Sequence, residues 1–344
     1  MGGAAVGRRR AGVSLGVLGK RGTVEGVSSP VHDAAQRRFA IANLIAQIGI
    51  IVTGGAVRVT GSGLGCSSWP MCEPGAFTPV FHEASSFHPF VEFGNRTLTG
   101  VLGIIALGLL WSLYRKAAPA RPDLRPYAWA VLILIAIQAI VGGMSVWATL
   151  HPAVVGLHMA LSLGLVSLST VLVYRLFRPR LQDEQGNVSF TGRLSLSESV
   201  VHIAIAVVTV VVALLGVVVT GTGPHSGDAE KPYRFAIDPI FITRLHAVAA
   251  WLLLVLVLVA LYAAAKRSKA QAGPWLVVLA MLGAQGVLGY IQYFSGLNPF
   301  LVVAHMLGSG LTVVAITWAM AAVYSHRLAP IERASDIEPV AASS

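Results

Sequence analysis

Apolar residues run along this chain in eight blocks, approximately 39–60, 91–113, 127–147, 152–174, 199–220, 240–262, 273–293 and 299–323. Each is long enough for the roughly 20 residues a helix needs to cross a bilayer. The blocks are continuously apolar, whereas barrel strands alternate and are about half as long, so the pattern predicts membrane helices. The few polar positions inside the blocks recur. Gln138, Gly142, Pro152, His158, Met159 and Ser162 reappear 147 positions on as Gln285, Gly289, Pro299, His305, Met306 and Ser309. Each copy reads as the end of one helix, a short turn closed by proline, and a second helix with one histidine about two turns in. The two histidines therefore sit at equal depth.

The repeat continues where Val57-Arg-Val-Thr-Gly-Ser-Gly63 ends the first helix much as Val217-Val-Val-Thr-Gly-Thr-Gly223 ends the fifth, at an offset of 160. Loops that change length between fixed helices account for the two offsets. Each copy contains four crossings, so both share one orientation and the repeat is parallel. The expected fold is an all-α integral membrane protein, its eight transmembrane helices arranged as two tandem four-helix bundles. The expected boundaries are a cytoplasmic tail at 1–38, a first bundle at 39–174, a cytoplasmic linker at 175–198, a second bundle at 199–323 and a cytoplasmic tail at 324–344. Both tails are small, polar and expected to be disordered.

Composition agrees: of 344 residues 55% are hydrophobic and 12% charged, which excludes an ordinary soluble domain. A net charge of +10 would suggest a nucleic-acid partner in a soluble protein, but here it gathers in the tails and the even-numbered connections. Arg37, Arg38, Arg115, Lys116, Arg175, Arg178, Lys266 and Arg267 are examples. The positive-inside rule then makes both termini cytoplasmic and the odd-numbered loops external, with no nucleic-acid role. The apolar block after Arg38 is too long for a cleavable signal.

The second helix opens Glu92-Phe-Gly-Asn95-Arg96 and the sixth Ile242-Thr-Arg244-Leu-His246, so His246 answers Asn95. His246 and His305 would then face one another across the second bundle, where two imidazoles can hold a haem iron from both sides. The plainer reading is histidines packed on backbone carbonyls. In the first bundle the facing pair is Asn95 and His158, and an amide is a poor iron ligand, so one site looks reactive and the other electron-carrying. Glu92, one turn from Asn95, is a candidate proton acceptor or simply an acid stabilised by the helix N-terminus. Arg58, Arg96 and Arg244 lie near the same level and could pair with haem propionates, although interfacial arginines are common. Cys66 and Cys72, the only cysteines, bracket Ser-Ser-Trp-Pro-Met in the first outer loop. An external site permits a disulfide, as a staple or a redox relay, and two thiols alone make an incomplete zinc set.

Thr60-Gly-Ser-Gly-Leu-Gly-Cys-Ser-Ser-Trp-Pro-Met-Cys72, Glu92, His158, His246 and His305 together resemble the haem A synthase family, over all eight helices. The resemblance implies an oxidoreductase converting haem O to haem A for cytochrome oxidase biogenesis. The C8 methyl would be hydroxylated twice and the diol would lose water to give a formyl group. It implies Glu92 as catalytic acid, His158 on the substrate haem iron, His246 and His305 on a haem b iron, and Cys66 with Cys72 as the external pair. Haem O, the enzyme supplying it, an electron acceptor or donor, and membrane lipid are the implied partners in a bacterial cell membrane, and a homo-oligomer is left open. The family pattern has a histidine directly before the arginine, where this chain has Asn95 before Arg96, so Asn95 stands as a partner of the substrate site. A bis-histidine cytochrome b linked to quinone, and a parallel-repeat transporter, are the alternatives.

Overall fold

The computed structural model describes residues 33–81, 86–117, 121–177, 195–228, 230 and 232–325. Most of the expected tails at 1–38 and 324–344 and of the linker at 175–198 falls outside these residues, while 34–38, 175–177, 196–198 and 324–325 are helical rather than tail or linker. Among the described residues eight helices form: α1 (Ala34–Val59), α2 (His88–Tyr114), α3 (Arg125–Trp147), α4 (Pro152–Phe177), α5 (Leu196–Thr222), α6 (Pro239–Arg267), α7 (Lys269–Phe294) and α8 (Pro299–Ser325). All eight are long and apolar enough to cross a membrane, and this is a multi-pass membrane protein.

Several helices outrun their apolar blocks because polar residues cap them. Asp33 starts α1 by accepting from the amides of Ala35 at 2.7 Å and Gln36 at 3.3 Å. Ser195 and Glu198 start α5 as a reciprocal capping box. At the far end of the next helix in each case stands an arginine: Arg115 pairs with Asp33, and Arg267 with Glu198.

The turns after α3 and α7 are built alike. Ala148 N–H donates to Met144 O and Leu150 N–H to Ser145 O, at 2.9 and 2.8 Å. Ser295 N–H donates to Ile291 O and Leu297 N–H to Gln292 O, both at 2.9 Å. Such a reversal closes a helix through left-handed residues, which are usually glycine. Gly296 (φ 71°) fits that preference, while Thr149 (φ 46°) holds the matching place in the first turn.

α1 packs on α2 and α4, α2 on α3, and α3 on α4, so the first four helices close a ring. α5 packs on α6, α6 on α7 and α7 on α8; α4 packs on both α5 and α8, and α1 also meets α8. Where α1, α4, α5 and α8 meet, Ile51, Leu163 and Val166 are buried against Met159, Met306 and Ala213. The two methionines that follow the repeated histidines therefore fill the seam between the two sets. Hydrogen bonds tie the sets together as well: Gly63 N–H donates to Gly227 O at 2.8 Å, and Arg58 Nη2 of α1 to Thr220 O of α5 at 2.6 Å.

Candidate functional site

Glu92 lies in the second turn of α2 and is buried, 5% exposed, which for a carboxylate demands partners. It has three. Arg96, one turn along the same helix, donates Nε to Glu92 Oε1 at 3.0 Å and closes the ion pair with Nη2. The amide of Cys66 donates to Oε2 at 2.8 Å. Arg96 Nη1 continues outward to the carbonyls of Ser68, at 2.9 Å, and Met71, at 3.3 Å. The carboxylate is thus fixed to its own helix and to the loop between α1 and α2.

That loop is held shut. Cys66 and Cys72 form a disulfide and both are fully buried. Trp69 lies over Gly143 and edge-on to Trp147, with ring centroids 5.4 Å apart, which seats the loop on α3. A Cβ at Gly143 would strike the Trp69 ring at 2.5 Å, so only glycine allows the approach. Ser62 Oγ meets His88 Nδ1 at 2.8 Å, tying the loop to the start of α2.

One turn inward from Glu92, Asn95 Oδ1 accepts from Thr53 Oγ1 of α1 at 2.7 Å. His158 of α4 presents its ring edge to Gly142 of α3, where a Cβ would come within 3.3 Å of Cε1. Gln138 Nε2 donates to the His158 carbonyl at 3.0 Å and to Ser162 Oγ at 2.6 Å, fixing the backbone under the histidine. The second set repeats this. Gly289 faces His305, again with 3.3 Å from a built Cβ to Cε1, and Gln285 Nε2 donates to the His305 carbonyl at 3.1 Å. His246 Nδ1 lies 3.0 Å from Val212 O, and Gly216 faces its ring, 3.1 Å from a built Cβ to Cε1. A carbonyl only accepts, so Nδ1 of His246 carries the proton and Nε2 keeps its lone pair. His246 and His305 lie within electrostatic reach of each other.

Two imidazoles suit an iron already held in a macrocycle, which leaves only axial positions to fill. The residues fit such a group. Each ring is set against a glycine whose Cβ would crowd it, and His158 and His305 each bury an Nδ1 that has no hydrogen-bond partner. Buried polar atoms are rarely left so. Among the described residues no three His, Cys, Asp or Glu side chains gather as for a bare ion.

The sequence profile of the COX15-CtaA cytochrome oxidase assembly proteins matches residues 37–238. The chain belongs to that family. Curated relatives named heme A synthase include that of Bacillus pumilus, 26% identical over 79% of this chain and 89% of its own length. That of Geobacillus kaustophilus is 23% identical over 86% of this chain and 94% of its own. That of Exiguobacterium sibiricum is 35% identical over a shorter stretch, 36% of this chain and 40% of its own.

Among the residues singled out in the sequence, Glu92, Cys66 and Cys72 come together at one mouth with Arg96, and His246 and His305 come together in the second set. Arg96 and Arg58 are committed to protein groups, Glu92 with two loop carbonyls and Thr220 O respectively. Arg244 is exposed. His225 Nε2 bonds Leu297 O at 2.9 Å, joining the loop after α5 to the turn after α7. Sequence reasoning missed Thr53 and the glycines facing the rings. Gly142 and Gly289 recur in the repeat and could have been read as a platform; Gly216 has no repeated glycine to flag it.

Proposed function

We propose that this chain is a haem A synthase of a bacterial cell membrane, oxidising the C8 methyl of haem O to a formyl group in two successive hydroxylations. The observation that carries the reading is the buried Glu92 carboxylate, clamped by Arg96 and the Cys66 amide one turn above Asn95. The heme A synthase relatives, aligned over most of the chain, support it. Haem O, the substrate delivered by the enzyme that makes it, would sit within α1–α4 with His158 as its axial ligand. His246 and His305 would hold a haem b within α5–α8, and that group, when bound, supplies one-electron transfer to an outside partner.

The residues divide the remaining work. Glu92 accepts the proton released at the reacting methyl and passes it to the outer face, a step typically worth about 10²–10⁴ in rate. Arg96 fixes the carboxylate's orientation, and the disulfide loop covers it against water. The basic residues at one end of the helices support cytoplasmic termini and an external cysteine loop. The matching turns and matching glutamine contacts support a parallel repeat of two four-helix units.

A bis-histidine cytochrome b would use His246 and His305 but has no need of a clamped acid under a disulfide loop. Membranes carrying the protein are supplied with haem O and the extracted haems identified. Haem A is the expected product. Recovery of haem O unchanged beside a b-type spectrum would replace the synthase with the cytochrome, and a colourless protein would replace both with the transporter.

A further inference from the structure

We propose that Thr53 and Ala56 on α1 close the place held by Asn95 to an imidazole, so that the first four helices admit one axial histidine, His158, by construction. This rests on the haem reading of α1–α4, and the comparison that yields it lies within the chain.

His246 occupies a slot on α5 between the Val212 carbonyl and Gly216. A methyl group at position 216 would stand 3.1 Å from Cε1 and 3.5 Å from Nδ1. That is inside the about 3.5–4.0 Å at which carbon atoms attract, so a methyl there would force the ring to give by a few tenths of an ångström. Val57–Gly63 matches Val217–Gly223 at an offset of 160, and extending it back along the helix sets Val52, Thr53 and Ala56 against Val212, Ala213 and Gly216. The contacts agree with this register. Asn95, the counterpart of His246, meets α1 at Thr53. Ala56 is three residues further, one turn along the same helix face.

Both departures act against an imidazole. Ala56 supplies the methyl that Gly216 omits. Thr53 replaces Ala213 with a hydroxyl that lies 2.7 Å from Asn95 Oδ1 and 3.3 Å from the Ile50 carbonyl. The shorter amide fits beside these groups and is held by one of them, while a histidine would meet a methyl and displace a hydrogen-bonded hydroxyl. The absence of a second histidine is therefore written at three positions on two helices, and changing position 95 alone does not undo it.

The test compares wild type, Asn95→His, Thr53→Ala/Ala56→Gly, and Asn95→His combined with both α1 changes. In protein made without haem, Asn95→His should lower Tm, and the triple variant should recover most of that loss relative to the α1 double variant. In haem-loaded protein, electron paramagnetic resonance should show a high-spin signal from the first site in wild type and in Asn95→His. Only the triple variant should convert it to low spin, with the low-spin signal of the second site unchanged as a control on the fold. An Asn95→His variant with wild-type Tm, or one that becomes low-spin unaided, overturns the proposal, as does a triple variant that stays high-spin. If loaded wild type binds only one haem, the haem reading of α1–α4 fails, and the haem-free Tm series still decides whether the slot is closed.

Discussion

The first four helices and the last four make matching contacts within the bundle and differ at the end where the α1–α2 loop lies. In both, a glutamine on the third helix donates to the carbonyl of the histidine on the fourth, and a glycine faces that ring. In both, an acid at the start of the first helix pairs with an arginine at the end of the second. Above the histidines the likeness stops. The first set carries Glu92, Arg96 and a disulfide-closed loop; at the matching level the second has Thr243 and Ala247, and its loop is held by hydrogen bonds such as Phe235 N–H to Gly221 O, at 3.1 Å. Helix contacts tolerate little change because every side chain is packed, while loops and helix ends tolerate much. Chemistry therefore diverged where packing allowed it.

The largest effect should come from removing the buried carboxylate that the second set lacks. Glu92→Gln keeps the size and most of the hydrogen bonds but cannot take a proton, so haem A formation should fall by about 10²–10⁴. Haem content should stay at the wild-type level. Thr243→Ala, at the matching position of α6, should leave the rate unaltered. Product analysis on purified protein decides it, and a Glu92→Gln enzyme working at the wild-type rate reduces the carboxylate to an anchor for Arg96 and the loop.

Next in size is the covalent staple, also confined to the first set. Closing so short a loop removes unfolded-state entropy worth roughly 2–3 kcal/mol. Cys66→Ser/Cys72→Ser should release the loop to added protease and weaken haem O binding, while the low-spin spectrum assigned to His246 and His305 persists. Loss of both haem signals together would mean that the loop supports the whole outer surface through Gly63 and Gly227, and the two mouths would not be separable.

Much of this was legible in the sequence. Eight apolar blocks gave the eight helices, because in a membrane a continuous apolar run has few other ways to satisfy its backbone. The repeat gave His158 and His305 because polar residues are rare enough in such blocks to align by eye. What stayed hidden depends on distance in the chain. Arg96, read from the sequence as a possible propionate partner, instead pairs with Glu92 four residues before it, and its further contacts with the Ser68 and Met71 carbonyls depend on a loop shape that spacing does not set. Arg58 reaches Thr220 O across 162 positions, and Thr53 is an ordinary helical threonine until α2 packs beside it.

The turns offer a finer contrast. Thr149 and Gly296 hold matching left-handed positions, and a residue with a Cβ pays roughly 1–2 kcal/mol there, partly offset by the greater freedom of glycine when unfolded. Thr149→Gly should stabilise the protein by about 0.5–1 kcal/mol and Gly296→Thr should destabilise it by about as much or slightly more. Nothing lies within 4 Å of a Cβ built at Gly296, so that cost is conformational alone. Unfolding in graded denaturant measures both, and a destabilised Thr149→Gly protein would show that the threonine side chain has a role that the second turn does without.

The smallest effect tests the ends at which the two sets agree. Asp33 caps α1 and also pairs with Arg115, whose hydrogen bond holds the Asp33 carboxyl below the usual carboxylate range. A carboxyl depressed in the folded state adds stability above its unfolded value, near about 3.9, and loses it as pH falls through the folded one. Asn caps a helix about as well as Asp, so Asp33→Asn removes the ion pair and spares the cap. For a pair at the helix ends whose Arg115 side chain is 31% exposed, the expected loss is about 0–1 kcal/mol at neutral pH, shrinking with added salt. The gap between wild type and Asp33→Asn should close as pH falls through the depressed folded-state pKa of Asp33, because both side chains are neutral below it. A gap that survives acid would mean that the carboxyl works through its cap geometry alone, and Arg115 would then be held by its stacking on Trp111, 5.2 Å from the ring centroid, rather than by charge.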